Sequence, residues 1–461
     1  MSRETTCRAV VSGEVDFVGW HSDGYLEVPW DRDQTEISLE DTLVYVKGFT
    51  QEGDYELMIQ VCTGKPWRSG VMCVEDFVAI SVEPMELIDI ARWYWTGGVC
   101  EGNGSQMFPV SPMSPDQLNF IKPLGDLNGG HPTPVSHQYW NPLKDVVAEV
   151  RSPVSGTIVA LTNRGTANVS DPFGGASGQD YEVQYIIEVS CDLYLILDHV
   201  IGVPEAISTA LGEQSGLRPR IPVSVGEVLG HVTDGFKVDF GVVDLTRAEV
   251  TGFARSESYY QCAPNAPNYP MCGEPFKLFE RDSFEYFEEP LRSQLEEKSL
   301  RAVEPRGGFF VYDVPGTAQG TWFQDGTYRY GGNAEASGKD HGHLALVPDN
   351  LAPSKLRVSL GDGFTGGLVR IMGVTGNSPT FDTITPASGL TSYELRHLLP
   401  CDGSPITVSG RARNFACNTG EPMGTLLLEM LDDSTIRVEV LYNVSPTSAP
   451  TFTDSARTYL R

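Results

Sequence analysis

Between Val150 and Asp244 four motifs follow one another: Arg-Ser-Pro-Val-Ser-Gly-Thr-Ile-Val at 151–159, Leu-Asp-His-Val at 197–200, Val-Ser-Val-Gly-Glu-Val-Leu-Gly-His-Val at 223–232, and Lys-Val-Asp-Phe-Gly-Val-Val at 237–243. Their punctuation restricts the fold of this chain more than any other feature. A Pro-x-x-Gly turn between β-branched residues, then a Val-Gly-Glu turn before another apolar run, suits a small, highly curved β-sheet that folds back on itself.

That order of motifs resembles the duplicated-hybrid-motif core of the lysostaphin-type (LytM-like) zinc endopeptidases, which cut peptide cross-bridges in bacterial cell walls. The resemblance covers about a third of the chain. In that family a His and a nearby Asp, together with one His of a later His-x-His strand, ligate zinc; the other His of that pair and a His from a Tyr-x-His-Leu strand serve the chemistry. Carried onto this sequence, the first element falls in 123–139 and offers His131 and His137, with Asn141 where the family has Asp. The middle His is His199, and Lys237-Val238-Asp239 stands in place of His-x-His. The resemblance therefore implies metal ligands His131, His137 and Asp239, with His199 as the catalytic base or transition-state donor.

A catalytic zinc needs about three protein donors, an open position for water and a nearby base. Loss of His-x-His removes one expected ligand and one acid/base group together, and a neutral amide at 141 binds zinc poorly. Two readings follow: a non-catalytic binding or structural module that keeps the fold, and a zinc endopeptidase with an altered ligand set. Each residue also has a structural alternative. His131 and His137 could belong to a polar, aromatic-rich loop over the sheet, His199 could be a rim histidine held by Asp198, and Asp239 could face solvent on an alternating strand. Biotinyl and lipoyl carriers share the folded-hairpin pattern, but no Lys sits at a hairpin tip here. There is no Gly-x-Ser-x-Gly elbow and no Gly-Lys-Ser/Thr phosphate loop. Gly361-Asp-Gly-Phe-Thr-Gly366 matches the dinucleotide pattern, yet the following residues read as a strand, so it is a glycine-rich hairpin.

At ~150 residues per domain, a chain of 461 residues makes about three domains. The 48 Gly and 31 Pro favour turn-rich β structure. The expected fold is mainly β and multidomain: an N-terminal β domain at 1–95, a peptidase-like core at 117–255, a disulfide loop and bridging helix at 256–305, and a C-terminal β domain at 306–461, the two outer domains being sandwich-like. A glycine- and serine-rich linker is expected between about 96 and 116. Helical spacing marks a short helix near 86–95, whose Trp93, Tyr94 and Trp95 read as packing or as a sugar platform. A second helix is marked by Leu291 and Leu295, with Pro290 at its first turn. Asp-Asp-Ser-Thr at 432–435 predicts a tight hairpin. Asp340-His341-Gly342-His343 offers a His pair entering a strand, where both rings would share a face.

A formal charge of -28 argues against nucleic acid, whose phosphates are bound by Lys and Arg. Calcium on surface carboxylates, or a saline habitat, would suit that charge, and the resemblance makes a peptide or cell-wall polymer the expected partner. No apolar run reaches the ~18 residues of a membrane span. The first residues lack a signal-peptide h-region. The nine cysteines sit mostly in loop-like contexts and point to an oxidising, extracytoplasmic compartment, with the leader replaced by Met1. Cys62 with Cys73, Cys262 with Cys272, and Cys401 with Cys417 are the expected pairs. The odd count leaves a thiol over, expected at Cys191.

Overall fold

The computed structural model describes residues 4–9, 17–22, 25–27, 43–48, 53–62, 73–82, 87–96, 99–128, 130–168, 179–213, 219–260, 274–331, 341–361, 370–375, 378–399 and 418–461. The chain is mainly β and divides into two compact units, Met1–Val99 and Cys100–Arg461.

The first unit contains β1 (Glu4–Ala9), β2 (Phe17–Ser22), β3 (Tyr25–Glu27), β4 (Leu43–Gly48), β5 (Gly53–Cys62), β6 (Cys73–Val82) and α1 (Leu87–Thr96). β1 pairs with β4, and the others form a sheet in the order β3-β2-β5-β6. Cys62 and Cys73 face each other in the β5–β6 register. The expected helix near 86–95 is α1; its Trp95 is buried, with the Tyr94 ring edge-on to it at 5.7 Å.

In the second unit a ten-stranded antiparallel sheet is built from β7 (Leu118–Lys122), β8 (Gln138–Pro142), β9 (Ala148–Arg151), β10 (Gly156–Asn168), β11 (Gln179–Ser190), β12 (Leu193–Ile201), β13 (Ile221–Val223), β14 (Val228–Val232), β15 (Val238–Asp244) and β16 (Glu280–Arg281), with α2 (Glu205–Glu213) between β12 and β13. The main path runs β13-β10-β11-β12-β15-β8-β7. β12 and β15 lie mid-path and are buried almost throughout. That explains the apolar runs Leu193–Leu197 of β12 and Phe240–Val243 of β15, which flank Asp198, His199 and Asp239, since a strand covered on both faces does not alternate. The two turns conspicuous in the sequence meet: β9 pairs with β14, Ser152 N–H donates to Glu227 O at 2.9 Å, and Gly226 N–H donates to Ser152 O at 2.8 Å. Gly226 takes φ +77°, a left-handed conformation that favours glycine.

The stretch expected as a linker is tied to the sheet from Cys100 onward, with the Glu101 and Gly104 N–H groups donating to Glu188 and Asp192. Phe108 and Met113 are fully buried in the sheet's core, and Phe108 stacks on Tyr286 at 5.3 Å. An aromatic in a Gly/Ser-rich segment was the contrary signal. Cys191 is likewise not a free thiol: it is bonded to Cys100, because the turn after β11 brings it beside the incoming chain, where Cys191 N–H donates to Gly102 O. Cys262, Cys272, Cys401 and Cys417 lie outside the described residues, as do Asp340 and Asp362–Gly366. α3 (Leu291–Lys298) is the expected second helix, following Pro290, with Leu295 buried against the sheet.

The C-terminal strands form a closed barrel rather than an open sandwich: β17 (Gly320–Gln324), β18 (His343–Pro348), β19 (Leu356–Leu360), β20 (Arg370–Val374), β21 (Thr391–Leu399), β22 (Asn418–Asp432), β23 (Thr435–Tyr442) and β24 (Arg457–Leu460), with β24 returning to β17. Register shifts near Arg396 and the close approach at Gly424, where a Cβ would lie 2.2 Å from Leu441 O, bend the sheet enough to close. Closure removes the exposed edges, and at eight strands side chains fill the interior; here Trp322, Tyr393 and Tyr459 do so. The hairpin at Asp432–Thr435 forms as the sequence predicts. His341 and His343 do not share a strand face. Gly342 between them takes φ +80° in a turn, the strand begins at His343, and that ring is buried against Phe323 and Tyr330.

Candidate functional site

Three neighbouring strands present one polar row. In register, Asp239 of β15 lies opposite Tyr139 of β8 on one side and Asp198 of β12 on the other. Directly opposed residues share a sheet face, and so do residues two apart along a strand. His137 and Lys237, each the residue just before its strand, reach the same row through their side chains. His137 Nε2 approaches Asp239 Oδ2 at 3.1 Å, and the Lys237 ammonium sits 3.6 Å above the Tyr139 ring.

His199 reaches the same carboxylate from β12. Its φ of +64° is rare for a residue with a Cβ and marks local backbone strain. The main-chain N–H donates to Asp198 Oδ1 at 2.9 Å, Nε2 lies 3.4 Å from Asp239 Oδ2, and Nδ1 meets Glu182. Asp198 also accepts from Arg164 Nε at 3.0 Å and from Gln184 Nε2 at 2.7 Å. His131 packs edge-on against His137, with ring centroids 5.6 Å apart. Asn141 turns its amide to Tyr139 O at 3.1 Å. Thus Asp239, His137 and His199 come together, with His131 stacked behind, and Asp239 is buried, not facing solvent.

Three groups escaped the sequence reading: Glu182, Glu280 and Lys277. Glu182 and Gln184 alternate with Tyr181, Val183 and Tyr185 in β11, a period-two pattern that places both on one face and could have been used. Glu280 is buried beside Gly241, where a Cβ would lie 3.1 Å from Oε1. Lys277 donates to Ser136 Oγ at 2.7 Å and lies 3.9 Å from Glu280.

The electrostatics follow from these neighbours. Burial alone would raise the Asp239 carboxyl, but His137, with Lys237 and His199, holds it below the usual carboxylate range. Burial opposes the His199 imidazolium, yet Asp239, Glu182 and Asp198 outweigh it and raise its pKa. Lys237 is lowered, chiefly by burial; Glu280 is raised by burial against the pull of Lys277 and His137.

Asp239 Oδ2 stands between Nε2 of His137 and Nε2 of His199, and Nδ1 of His199 faces Glu182. Among the described residues, no group of three or more His, Cys, Asp or Glu side chains is placed to hold a metal ion. Nor, among them, is any helix long and apolar enough to cross a membrane. Comparison with protein-family models, curated proteins and solved structures finds no match for this chain.

Proposed function

We propose that this protein carries a degenerate lysostaphin-type peptidase-like domain that acts as a non-catalytic binding or structural module outside the cytoplasm, with a peptide or cell-wall polymer as its partner. The observation that carries this reading is the placement of Asp239 between His137 and His199. Where the family would hold a metal dication, this chain places protonatable imidazoles and Lys237 around one carboxylate, so charge is balanced internally. The Cys100–Cys191 bond fits an oxidising compartment.

The competing reading, a zinc endopeptidase with an altered ligand set, draws on one distance. His137 Nε2 and Asp239 Oδ2 are 3.1 Å apart, close to the separation of about 3.3 Å between adjacent ligands of a tetrahedral zinc with bonds of about 2.0–2.1 Å. Elemental analysis of untagged protein and of His137→Ala decides between them, together with sedimentation on purified cell walls and assay of peptide release. Negligible zinc in both proteins and wall binding without peptide release are expected. Roughly one zinc per chain that disappears in His137→Ala, with released peptide, would overturn the proposal.

A further inference from the structure

Three stretches of the sequence match the Asn-x-Ser/Thr acceptor of N-linked oligosaccharides: Asn103-Gly104-Ser105, Asn168-Val169-Ser170 and Asn443-Val444-Ser445. The fold does not present them alike. Asn103 and Ser105 are both exposed, in a segment that runs over the surface between Cys100 and the buried Phe108. That segment is held by its main chain. Cys191 N–H donates to Gly102 O at 3.2 Å, Gly104 N–H donates to Asp192 Oδ2 at 2.9 Å, and Gly104 O accepts from Ser190 Oγ at 2.6 Å. Gly102 and Gly104 take φ of +74° and +86° on either side of Asn103, left-handed conformations that favour glycine. The backbone is thus tied inward through its glycines, while the residues that bear the acceptor amide and hydroxyl stand in solvent. Asn443 is also exposed, in the turn after β23, but its partner hydroxyl is engaged: Ser445 Oγ accepts from Thr447 N–H at 3.3 Å and lies 2.8 Å from Thr447 Oγ1. Val169 and Ser170 lie outside the described residues.

We propose that Asn103 is the acceptor of an N-linked glycan. In the transfer, Nδ2 of Asn103 bonds to the anomeric carbon of a lipid-pyrophosphate-linked oligosaccharide. The anomeric C–O bond breaks, the lipid pyrophosphate leaves with the electron pair, and one amide proton passes to a base of the transferase; nothing is oxidised or reduced. Chain order favours the step. Cys191 follows Cys100 by 91 residues, so at roughly 5–20 residues per second of synthesis the segment around Asn103 waits about 5–18 s for the turn that anchors it. Transfer therefore has time to precede closure of the disulfide, and the finished fold leaves a bulky, solubilising group at the surface, where it belongs. The inference rests on the location outside the cytoplasm in the functional reading, and on nothing said there of Asp239.

The test is to secrete the full chain from an N-glycosylating eukaryotic cell, compare its intact mass before and after peptide-N-glycosidase, and place the glycan by peptide mapping. A glycan at Asn103 is expected. It should be lost in Asn103→Gln and in Ser105→Ala, and kept in Ser105→Thr, which preserves the hydroxyl; both positions are exposed, and circular dichroism checks that each variant folds. Occupancy at Asn443 should be lower than at Asn103. An unmodified Asn103 would overturn the proposal, as would higher occupancy at Asn443 or a glycan that persists on Asn103 in Ser105→Ala. Any of these leaves the zinc and wall-binding results standing, whereas a zinc-loaded peptidase glycosylated at Asn103 would sink the functional reading alone.

Discussion

Asp349 at the barrel rim and Asp239 in the central sheet are both buried carboxylates, 7% and 4% exposed, and they are treated in opposite ways. Every acceptor position of Asp349 that matters is filled: Arg357 takes one oxygen and two main-chain N–H groups take the other. At Asp239 two imidazoles crowd one oxygen, and Oδ1, though buried, accepts no hydrogen bond. A buried charge that is fully bonded fixes a turn. One that is half-bonded costs stability, and a sequence that keeps it there has a reason beyond folding.

The first way to break this contrast is Asp349→Ala. It leaves the Arg357 guanidinium buried without its counter-charge and frees two N–H groups of the turn. A loss of about 4 kcal/mol is expected in chemical unfolding. A loss below about 1 kcal/mol would remove the distinction between the two carboxylates. Next in size is the crosslink on the sheet side. Cys100 and Cys191 are separated by 91 residues, and removing a bond that closes so long a loop, as Cys100→Ser with Cys191→Ser, should cost about 2–4 kcal/mol. The hydrogen bonds from Gly104 N–H to Asp192 and from Ser190 Oγ to Gly104 O remain to hold the segment, so the double variant should still fold.

A third carboxylate, Asp282, sits between these extremes and brings in pH. Burial pushes it up to about 7, against the Phe284 N–H that it accepts; Gln138 Nε2 also donates to it, at 3.0 Å. Its folded pKa lies above the unfolded value, so the native state holds a proton that the unfolded chain has released. This stability is therefore present below about pH 4 and is lost as pH rises from there through 7. The full shift would correspond to about 4 kcal/mol, but Gln138 Nε2 also stabilises the ionised form, so about 3 kcal/mol is expected. Unfolding measured from pH 4 to 8 should show this slope in the parent and lose it in Asp282→Asn. An unchanged slope in the variant would assign the dependence elsewhere.

Much of the central sheet was legible because its signals are local. Turn residues at 153–156 and 225–227 and the apolar runs Leu193–Leu197 of β12 and Phe240–Val243 of β15 each state their own conformation, as does the hairpin at 432–435 in the barrel. Barrel closure was not legible: β17 and β24 come from opposite ends of the region, and no local pattern separates a closed barrel from two packed sheets. The site divides in the same way. His137, His199 and Asp239 stood at positions that the family resemblance named. Glu182 and Glu280 arrive through the kink at His199 and through the pairing of β15 with β16, both consequences of tertiary structure. The burial of Phe108 was missed for a related reason, since a single aromatic in a glycine-rich stretch carries no period to read.

The smallest expected effect tests Asp239 itself. Asp239→Asn keeps the shape and one acceptor oxygen but removes the charge between His137 and His199. For Asp349 such a change would strip a fully used carboxylate. Here one oxygen is already bare, and His199 keeps Glu182 and Asp198 beside it when the Asp239 charge is gone. The loss should therefore be only about 1 kcal/mol, and the His199 pKa should fall from its raised position in a histidine NMR titration, since Asp239 is the largest of the groups raising it. A loss as great as that of Asp349→Ala would mean that the charge at Asp239 is a structural necessity. It would then need no function to explain its presence, and the contrast between sheet and barrel would reduce to one of geometry.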